Sequence, residues 1–498
     1  MHSETSPQAV CKFAIACADI TPPVGMYHRM WGAATHDRSE GIHRPLRATV
    51  ALFAPLTTNR SAPNASAGND TSSGAAASGK PQILVGLDHC LLGAEEMRSL
   101  TERVTKATGT SSEQLTFLFS HTHAAGLMSL DRAELPGGDL IAGYLERVGV
   151  VVSELISQVL RDAQPATLVA GNGTCSLARH RDFWDAERGE FVCGYNPGGI
   201  ADSTVIVIRA VAISGKTLGT FVNYACHPTT LAWDNRLVSP DYPGAMREVI
   251  EQASEAPCFF IHGASGDLGP REGFVGDTAV ADRNGRQLGY AALAVMEGLD
   301  PPLTQYTYQG AVVSGATIGV WKHRLLDESQ QHSLRRFSVQ QTVLPLDYRP
   351  GLPTLAEVDA DRKRWQQGEA DALQRGETIK ARDCRAQVER QTRMRSRLAQ
   401  LPSGPKYPFT ITTWKLGDLL WCFVPGEHYQ ILQQTLRAKT GRSVIVGTIA
   451  NGWGPSYLPT ADTYGKGIYQ ESIALLAAGS LERVIECALQ TLSGLENA

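Results

Sequence analysis

Short apolar runs alternate with helical periodicities along most of the chain. Runs rich in aliphatic and β-branched residues predict strands at 47–55, 81–90, 115–120, 203–212, 218–226, 256–264, 409–425 and 443–451. Apolar positions spaced i, i+3 and i+4 predict helices at 94–108, 144–163, 242–255, 277–298 and 428–440. Because strands and helices alternate, the predicted fold class is α/β, a large layered domain with mixed β-sheets flanked by helices.

Two segments depart from this pattern. Residues 57–80 are almost wholly small and polar, a composition that cannot bury enough apolar surface to offset its ordering entropy, so we predict a flexible low-complexity loop. Residues 353–401 are highly charged and poor in aliphatic side chains, which predicts a helical excursion, a hairpin packed on the outside with a solvated charged face. The alternation resumes at 402–498, so we interpret residues 1–498 as a single domain.

Composition narrows the possible partners. The chain has 46 Lys and Arg against 50 Asp and Glu, a net charge of -4, so no basic surface is expected to attract nucleic acid. No stretch reaches the roughly 18 apolar residues of a membrane span, and the first residues lack the pattern of a secretion signal. We therefore expect a protein without an integral membrane segment that is cytoplasmic, or secreted if a leader has been removed. The ten cysteines form no C-x-x-C pairs and predict reduced thiols.

Polar residues follow the ends of the apolar runs. They are Asp88, His121, His123, His227, Asp267, Glu427 and Tyr457. A chain that leaves a sheet presents such side chains to a crevice, so this recurrence predicts a functional site. The spacing H-x-H projects His121 and His123 in a similar direction, and neutral imidazole is the commonest protein ligand of zinc. Two histidines, a carboxylate and an open position would form a Lewis-acid site that ionises water near neutral pH.

Several of these residues lie in longer motifs. The segments "SHTHAAG", "NYACHPTTLAWDNRLVSPDYPG", "GASGDLGP" and "VPGEHYQ" occur in this order along the chain. In order and separation they resemble the N-terminal catalytic domain of the neutral/alkaline non-lysosomal ceramidase family, and most closely its shorter bacterial members. The resemblance runs from about residue 13 to the C-terminus. It implies a metal-dependent hydrolase that cleaves a C–N amide bond in a small or lipid-like substrate with metal-activated water.

The resemblance also implies roles for individual residues. One Zn2+ ion would be held by His121, His227, Glu427 and Tyr457, the last two supplied by the C-terminal part of the chain. Tyr464 and Tyr469 lie close to Tyr457 in sequence and remain alternatives for the tyrosine ligand. His123 would shuttle a proton or stabilise the transition state, and Asp267 and Tyr457 are further candidate catalytic residues. Asp88, together with Asp267, would orient the metal-bound imidazoles.

The match departs from the family at two places. Gly269 stands where the family has a serine, and no C-terminal immunoglobulin-like domain follows the helix at the chain end, so we expect a smaller amide than ceramide. The substrate-binding candidates are Arg179, His180, Gly269 and Tyr464, with Arg179, His180 and Arg181 suited to an anionic group.

Other interpretations stay open at this point. A metal-dependent ester or lactone hydrolase would need the same residues. From a different class, the protein could be a catalytically silent metal-binding relative that acts as a binding module. A homo-oligomer is compatible with the sequence, which does not determine the oligomeric state.

Overall fold

The computed structural model describes residues 3–56 and 79–497. The predicted loop at 57–80 therefore lies almost wholly outside the described residues. Within them, the longest sheet has eight strands: β1 Gln8–Asp19, β2 Arg47–Ala54, β3 Gln82–Leu87, β4 Leu115–Phe119, β5 Gln164–Thr174, β6 Thr204–Ala212, β7 Thr217–Tyr224 and β8 Cys258–His262. Their order is β8-β7-β6-β5-β1-β2-β3-β4, and the outermost pairs, β7 with β8 and β3 with β4, are parallel.

A second sheet has four strands. It consists of β9 Phe337–Asp347, β10 Lys406–Leu416, β11 Leu419–Phe423 and β12 Val444–Gly447, in that order, with β11 and β12 parallel. Shorter or peripheral strands are Ser3–Glu4, Gly41–Ile42, Ala178–His180, Asp182–Asp185, Glu190–Cys193, Leu237–Val238, Leu268–Pro270, Thr304–Ser314, Ala316–Leu325, Glu427–His428 and Tyr457–Leu458.

Ten helices lie among the described residues, and six of them cover the outer faces of the two sheets. The ten helices are α1 Ala94–Thr108, α2 Ile141–Asp162, α3 Tyr242–Ser254, α4 Thr278–Glu297, α5 Glu328–Ser333, α6 Leu355–Gln374, α7 Thr378–Ala399, α8 Ile431–Thr440, α9 Tyr469–Ile473 and α10 Ser480–Asn497. Helices α1 to α4 pack on the eight-stranded sheet, and α8 and α10 pack on the four-stranded sheet. No helix among the described residues is long and apolar enough to cross a membrane.

The two sheets pack face to face. Strand residues alternate between faces, so Val50 of β2 contributes to the cluster under α1 and α2, whereas Phe53 points towards the four-stranded sheet. The Phe53 ring lies 5.8 Å from Trp414 and 5.7 Å from Trp421, centroid to centroid. These buried aromatic rings fix the two sheets against each other and produce four layers, α/β/β/α.

The eight-stranded sheet curls until its two edges meet. Strands β4 and β8 stand at opposite ends of the strand order, yet they contact each other. Gly86 of β3 allows this approach, because a Cβ at that position would lie 2.8 Å from the ring of Phe259 in β8. The carboxyl ends of β4, β7 and β8 are thereby brought to one place.

The predicted fold class is confirmed, and each predicted strand and helix has a counterpart. The pattern did not single out β1, β5, β9 and the exposed hairpin Thr304–Ser314 with Ala316–Leu325. Strand β5 carries a proline and two glycines, which weaken its strand signal although pairing with β1 and β6 holds it in the sheet. The excursion forms the predicted helical hairpin, α6 with α7, but its charges do not all face solvent, as described below.

Candidate metal centre

Two histidines of the site follow strands near the place where the sheet edges meet: His121 follows the edge strand β4, and His227 follows β7, the neighbour of the edge strand β8. His121 leaves β4 with a φ of 66°, in the left-handed region that non-glycine residues seldom adopt, and its N–H donates to the His89 carbonyl at 2.9 Å. His227 follows β7, and its N–H faces the Leu268 carbonyl at 3.3 Å. Backbone strain of this kind persists only where the surroundings enforce it, and it concentrates at functional sites.

Glu427 and Tyr457 are placed by a short parallel ladder. Strand Glu427–His428 pairs with Tyr457–Leu458, and the register sets Glu427 beside Tyr457. Ser456, immediately before Tyr457, has a φ of 67°, so the backbone is forced into the left-handed region here as well. Two residues 30 positions apart in the sequence thus present their side chains next to each other.

Four donor atoms from these residues converge on one point. The Nε2 atoms of His121 and His227 are 3.1 Å apart, and the Glu427 Oε2 atom lies 3.3 Å and 3.0 Å from them. The Tyr457 hydroxyl oxygen is 3.1 Å from His227 Nε2. Ligand atoms about 2.0–2.1 Å from a tetrahedral zinc ion lie about 3.3 Å apart, so these separations fit such a set.

Hydrogen bonds on the far side of each ring determine which nitrogen faces the centre. His121 Nδ1 donates to the Cys90 carbonyl at 2.7 Å, and His227 Nδ1 donates to the Ser265 carbonyl at 2.8 Å. Both Nε2 atoms then carry a lone pair directed inward. Two lone pairs 3.1 Å apart repel each other unless a proton or a metal ion lies between them, so the two rings are oriented as a pair of metal ligands would be.

The surrounding charges also favour a cation. Burial raises the pKa of Glu427, but His121 and His227 together hold it well below its usual value, so the carboxylate is ionised. Burial lowers the pKa of His227 to about 3. Burial acts in the same direction on His121, yet Cys90 and Glu427 raise its pKa to about 10, because they favour positive charge at this ring. The same field attracts a metal ion, which would take the place of that proton at Nε2.

The donor set therefore fits zinc. Two imidazoles, one carboxylate and one phenol oxygen are ligands that zinc accepts, and all four residues are buried. Arg181 supports the tyrosine, since its Nη2 donates to the Tyr457 oxygen at 3.0 Å and its guanidinium stacks over the ring at 5.5 Å. Burial raises the pKa of Tyr457 well above its usual value, and the Arg181 charge opposes this rise by favouring the phenolate form, the stronger ligand.

Tyr457 is the tyrosine whose oxygen reaches the centre. The Tyr464 hydroxyl donates to the Leu476 carbonyl at 2.9 Å and is turned away. The Tyr469 ring lies 6.0 Å from Tyr457, centroid to centroid, and lines the neighbouring cavity. Of the three tyrosines left open by the sequence, the geometry selects Tyr457 as the ligand candidate, and Tyr464 does not line the cavity as a substrate residue.

His123 stands between the centre and a cavity of about 490 Å³. Its Nε2 is 3.5 Å from His121 Nε2, and its ring packs on Trp31 at 5.3 Å, centroid to centroid. Burial, and next the neighbouring His121 and His227, lower its pKa well below the usual value, so the ring is neutral near pH 7. A neutral imidazole at the cavity wall can accept a proton or donate a hydrogen bond.

Asp88 does not orient the imidazoles. Its carboxylate accepts hydrogen bonds from Arg247 Nη1 at 2.9 Å and Nη2 at 2.5 Å, and from the Arg47 N–H at 2.9 Å. This buried ion pair joins the end of β3 to helix α3. The prediction from the strand-end pattern was wrong for this residue because a guanidinium buried beside it takes the carboxylate.

We expect Arg247→Ala to destabilise the protein by about 3–5 kcal/mol, because it leaves the buried Asp88 carboxylate without its partner. Urea denaturation at a fixed excess of zinc measures the change. Arg236→Ala is the matched control, because it removes an exposed arginine paired with Glu40 and should cost below about 1 kcal/mol. The zinc content of folded Arg247→Ala should equal that of the parent. Loss of zinc at unchanged stability would instead restore Asp88 to the metal site.

Asp267 also does not contact the imidazole rings of His121 and His227. Its carboxylate accepts from the Gln430 N–H and the Gln430 side-chain amide, both at 2.8 Å, and burial raises its pKa while these bonds oppose the rise. Its backbone carbonyl accepts from the Arg181 N–H at 3.0 Å. The predicted contact to an imidazole ligand is absent, because Asp267 ties its own loop to the segment after Glu427.

The predicted anion-binding turn is only partly at the cavity. Arg179 Nη1 donates to the Ala178 carbonyl, His180 Nε2 faces Asp267 at 3.9 Å, and neither residue lines the cavity. Their side chains are engaged within the strand pair that joins Ala178–His180 to Leu268–Pro270. Arg181, the next residue, does line it. Gly269 is not among the residues that line the cavity. A Cβ there would meet its nearest atoms, those of Arg181 and Thr229, only at 3.9 Å, so the position has room for a side chain.

The sequence patterns did not single out one histidine beside the centre. His262, at the end of β8, forms a compact group with His121 and His227, and its Nε2 lies 2.8 Å from the Ser265 hydroxyl. Ser265 itself orients His227 through its carbonyl. His262 ends an apolar strand just as His121 follows one, so the strand-end signal was present but was assigned to Asp267 in the same loop.

Comparison with known proteins establishes the fold. No protein-family model and no curated protein sequence matches the chain. Among solved structures, a neutral ceramidase from Pseudomonas aeruginosa aligns with a TM-score of 0.64 at 15% identity, over 99% of this chain and 75% of that one. A ceramidase complexed with C2 aligns with a TM-score of 0.61 at 15% identity, over 99% of this chain and 76% of that one. The chain has the fold of these ceramidases, as the sequence motifs predicted.

Proposed function

We propose that the protein is a zinc-dependent hydrolase of C–N amide bonds. The observation that carries the proposal is the convergence of four donor atoms at 3.0–3.3 Å, with both imidazole lone pairs directed inward. The fold shared with two ceramidases supports the amide bond as the target. His121, His227, Glu427 and Tyr457 would hold the ion.

A zinc ion at this position supplies Lewis acidity, which polarises a carbonyl oxygen and brings the ionisation of water near neutral pH. The remaining chemistry belongs to the chain. His123 borders the cavity as a neutral ring, so its free nitrogen can take a proton from the attacking water and afterwards give it to the leaving amine. Trp31 packs against that ring and limits its rotation and its access to water.

Arg181 and Tyr457 form another part of the cavity wall. Both line the cavity, and the Arg181 guanidinium is fixed by the Gly266 carbonyl at 2.6 Å as well as by the Tyr457 oxygen. A buried positive charge next to the centre stabilises negative charge that develops on the substrate oxygen. Arg181 is 3% exposed, so solvent screens this interaction little.

The test compares amides with matched esters. Butanoyl amides and butanoyl esters of the same coumarin, together with carboxylate-bearing amides, are offered to protein of measured zinc content. Zinc near one equivalent and hydrolysis of amides that stops on chelation and returns with zinc are expected. Hydrolysis that persists in zinc-free protein would contradict the proposal.

Two other outcomes identify the alternatives. Turnover of the esters alone would favour a metal-dependent ester or lactone hydrolase. One bound zinc without turnover of any substrate would favour a catalytically silent binding module. Gly269 is the observation that favours the binding module, because the family resemblance places a serine at this position and this chain has no hydroxyl there.

A further inference from the structure

The cavity beside the metal centre has two unlike walls. One wall is aromatic: Trp31 packs edge-on against Trp233 at 6.1 Å and against Phe274 at 5.6 Å, centroid to centroid. A second wall comes from helix α7 of the charged excursion, which contributes Arg390, Arg393 and Arg397. These arginines are three and four residues apart and so share one face of the helix. The expectation that the excursion's charges form a solvated face holds for Arg390, which is exposed, and fails for Arg393 and Arg397, which are half-buried.

The cavity-lining arginines have no acidic partners. Among the described residues, no carboxylate oxygen lies within 4.0 Å of the side-chain nitrogens of Arg181, Arg390, Arg393 or Arg397. The one acidic residue on this wall, Glu389, is already taken by Arg132 Nη1 at 2.9 Å and Arg385 at 3.5 Å. The wall therefore carries uncompensated positive charge.

Hydrogen bonding in the wall is incomplete as well. The Nε atoms of Arg181, Arg393 and Arg397 are buried and have no hydrogen-bond partner among the described residues. Arg393 reaches the Met30 carbonyl with one Nη2 donor, and Arg397 lies over the Trp453 ring at 4.9 Å. Burial lowers the pKa of Arg397, and the charge of Arg393 lowers it further. Buried guanidinium donors without acceptors are costly, so such a cluster is a place for an anion.

On the basis of the function proposed above, we infer that the substrate is an amide with an anionic oxyacid group, a carboxylate or a phosphate. Arg393 and Arg397 hold that group. The apolar part of the substrate packs on Trp31, Trp233 and Phe274. The planar fork of arginine binds such groups through paired N–H donors, which a lysine cannot reproduce. A neutral amide would leave these donors without acceptors and would occupy the cavity less tightly.

Binding of three matched probes tests the inference without relying on turnover. The probes are N-phenylacetylglycine, its neutral analogue N-phenylacetylglycinamide, and the phosphonate analogue (phenylacetylamino)methylphosphonate. Calorimetry is carried out on zinc-loaded His123→Ala protein to limit hydrolysis. We expect the carboxylate or the phosphonate to bind at least about tenfold more tightly than the neutral amide, and the tighter of the two identifies the oxyacid.

Arginine variants in the same background locate the interaction. Arg393→Gln and Arg397→Gln should each weaken binding of the anionic probe about 10-fold or more and leave the neutral amide within about twofold. Arg395→Gln is the matched control, because Arg395 lies on the same helix, is exposed, pairs with Asp359 at 3.1 Å and does not line the cavity. It should change neither affinity. Arg393→Lys keeps the positive charge and should bind the anionic probe more tightly than Arg393→Gln does. This partial recovery of affinity would show that misfolding does not cause the loss in the glutamine variant.

Two results would overturn the inference. One is equal affinity for the anionic and neutral probes. The other is a loss in the glutamine variants that is the same for both probes. Neither depends on catalysis: a protein that binds the anionic probe through Arg393 and Arg397 but hydrolyses no amide refutes the proposed function and leaves the anion site intact.

Discussion

Replacing His227 with alanine is expected to reduce the bound zinc from about one ion per chain to near zero and to lower amide hydrolysis to background. His227 lies among the other three candidate ligands, because its Nε2 is within 3.1 Å of donor atoms from His121, Glu427 and Tyr457. Removing it takes away one ligand and the neighbour that fixes two others. Elemental analysis of the purified, unchelated variant measures the loss directly.

A matched control separates metal loss from general damage. His428→Ala removes a second buried histidine, the neighbour of Glu427, whose Nδ1 faces the Gly426 carbonyl at 3.3 Å and whose ring packs on Phe409. Adjacent strand residues point to opposite faces, so His428 points away from the centre and this variant should keep its zinc. If His227→Ala also retained stoichiometric zinc, the four-residue centre would be wrong.

Replacing His123 with alanine is expected to give the opposite combination, with zinc retained and kcat lowered about 10²- to 10⁴-fold. The ring borders the cavity and lies 3.5 Å from His121 Nε2, but its donor atom is not within reach of Glu427 or Tyr457 by any described hydrogen bond. Its loss therefore removes a proton carrier rather than a ligand. Zinc content and kcat are measured on the same preparation.

The pair of histidines in H-x-H also provides its own comparison. His121→Ala should lose zinc, since its Nε2 faces His227 and Glu427 and its Nδ1 is held by the Cys90 carbonyl. If the His121 variant kept zinc and the His123 variant lost it, the two roles would be exchanged. Equal and partial losses in both variants would point to a compensating ligand, for which His262, grouped with His121 and His227, is a candidate.

Much of the candidate centre could be read from local sequence. Each of His121, His227 and Glu427 follows an apolar strand, and a chain leaving a buried strand exposes the next polar side chains at the sheet end. The same rule was misleading for Asp88 and Asp267. Their carboxylates follow or lie near strands too, but each is taken by a partner distant in sequence, Arg247 for one and Gln430 for the other.

The helical excursion shows the same limit of prediction from local sequence. Its charge and its helix spacing predicted the hairpin of α6 and α7, and the structure confirms the two helices. The prediction that the charges face solvent was sound for Arg395 but not for Arg393 and Arg397. Amphipathic spacing shows which residues share a face, and it does not show which surface that face meets.

By itself, the sequence determined the alternation of strands and helices, the polar residues at strand ends and the motif order that indicates a ceramidase-like fold. Periodicity carries this information because it reflects the local pitch of each element. The tertiary structure alone decided that the curled sheet brings β4 beside β8, that Glu427 stands next to Tyr457 and that α7 closes the cavity with arginine. Those contacts join residues more than a hundred positions apart or depend on strand register, so they arise only when the whole core packs.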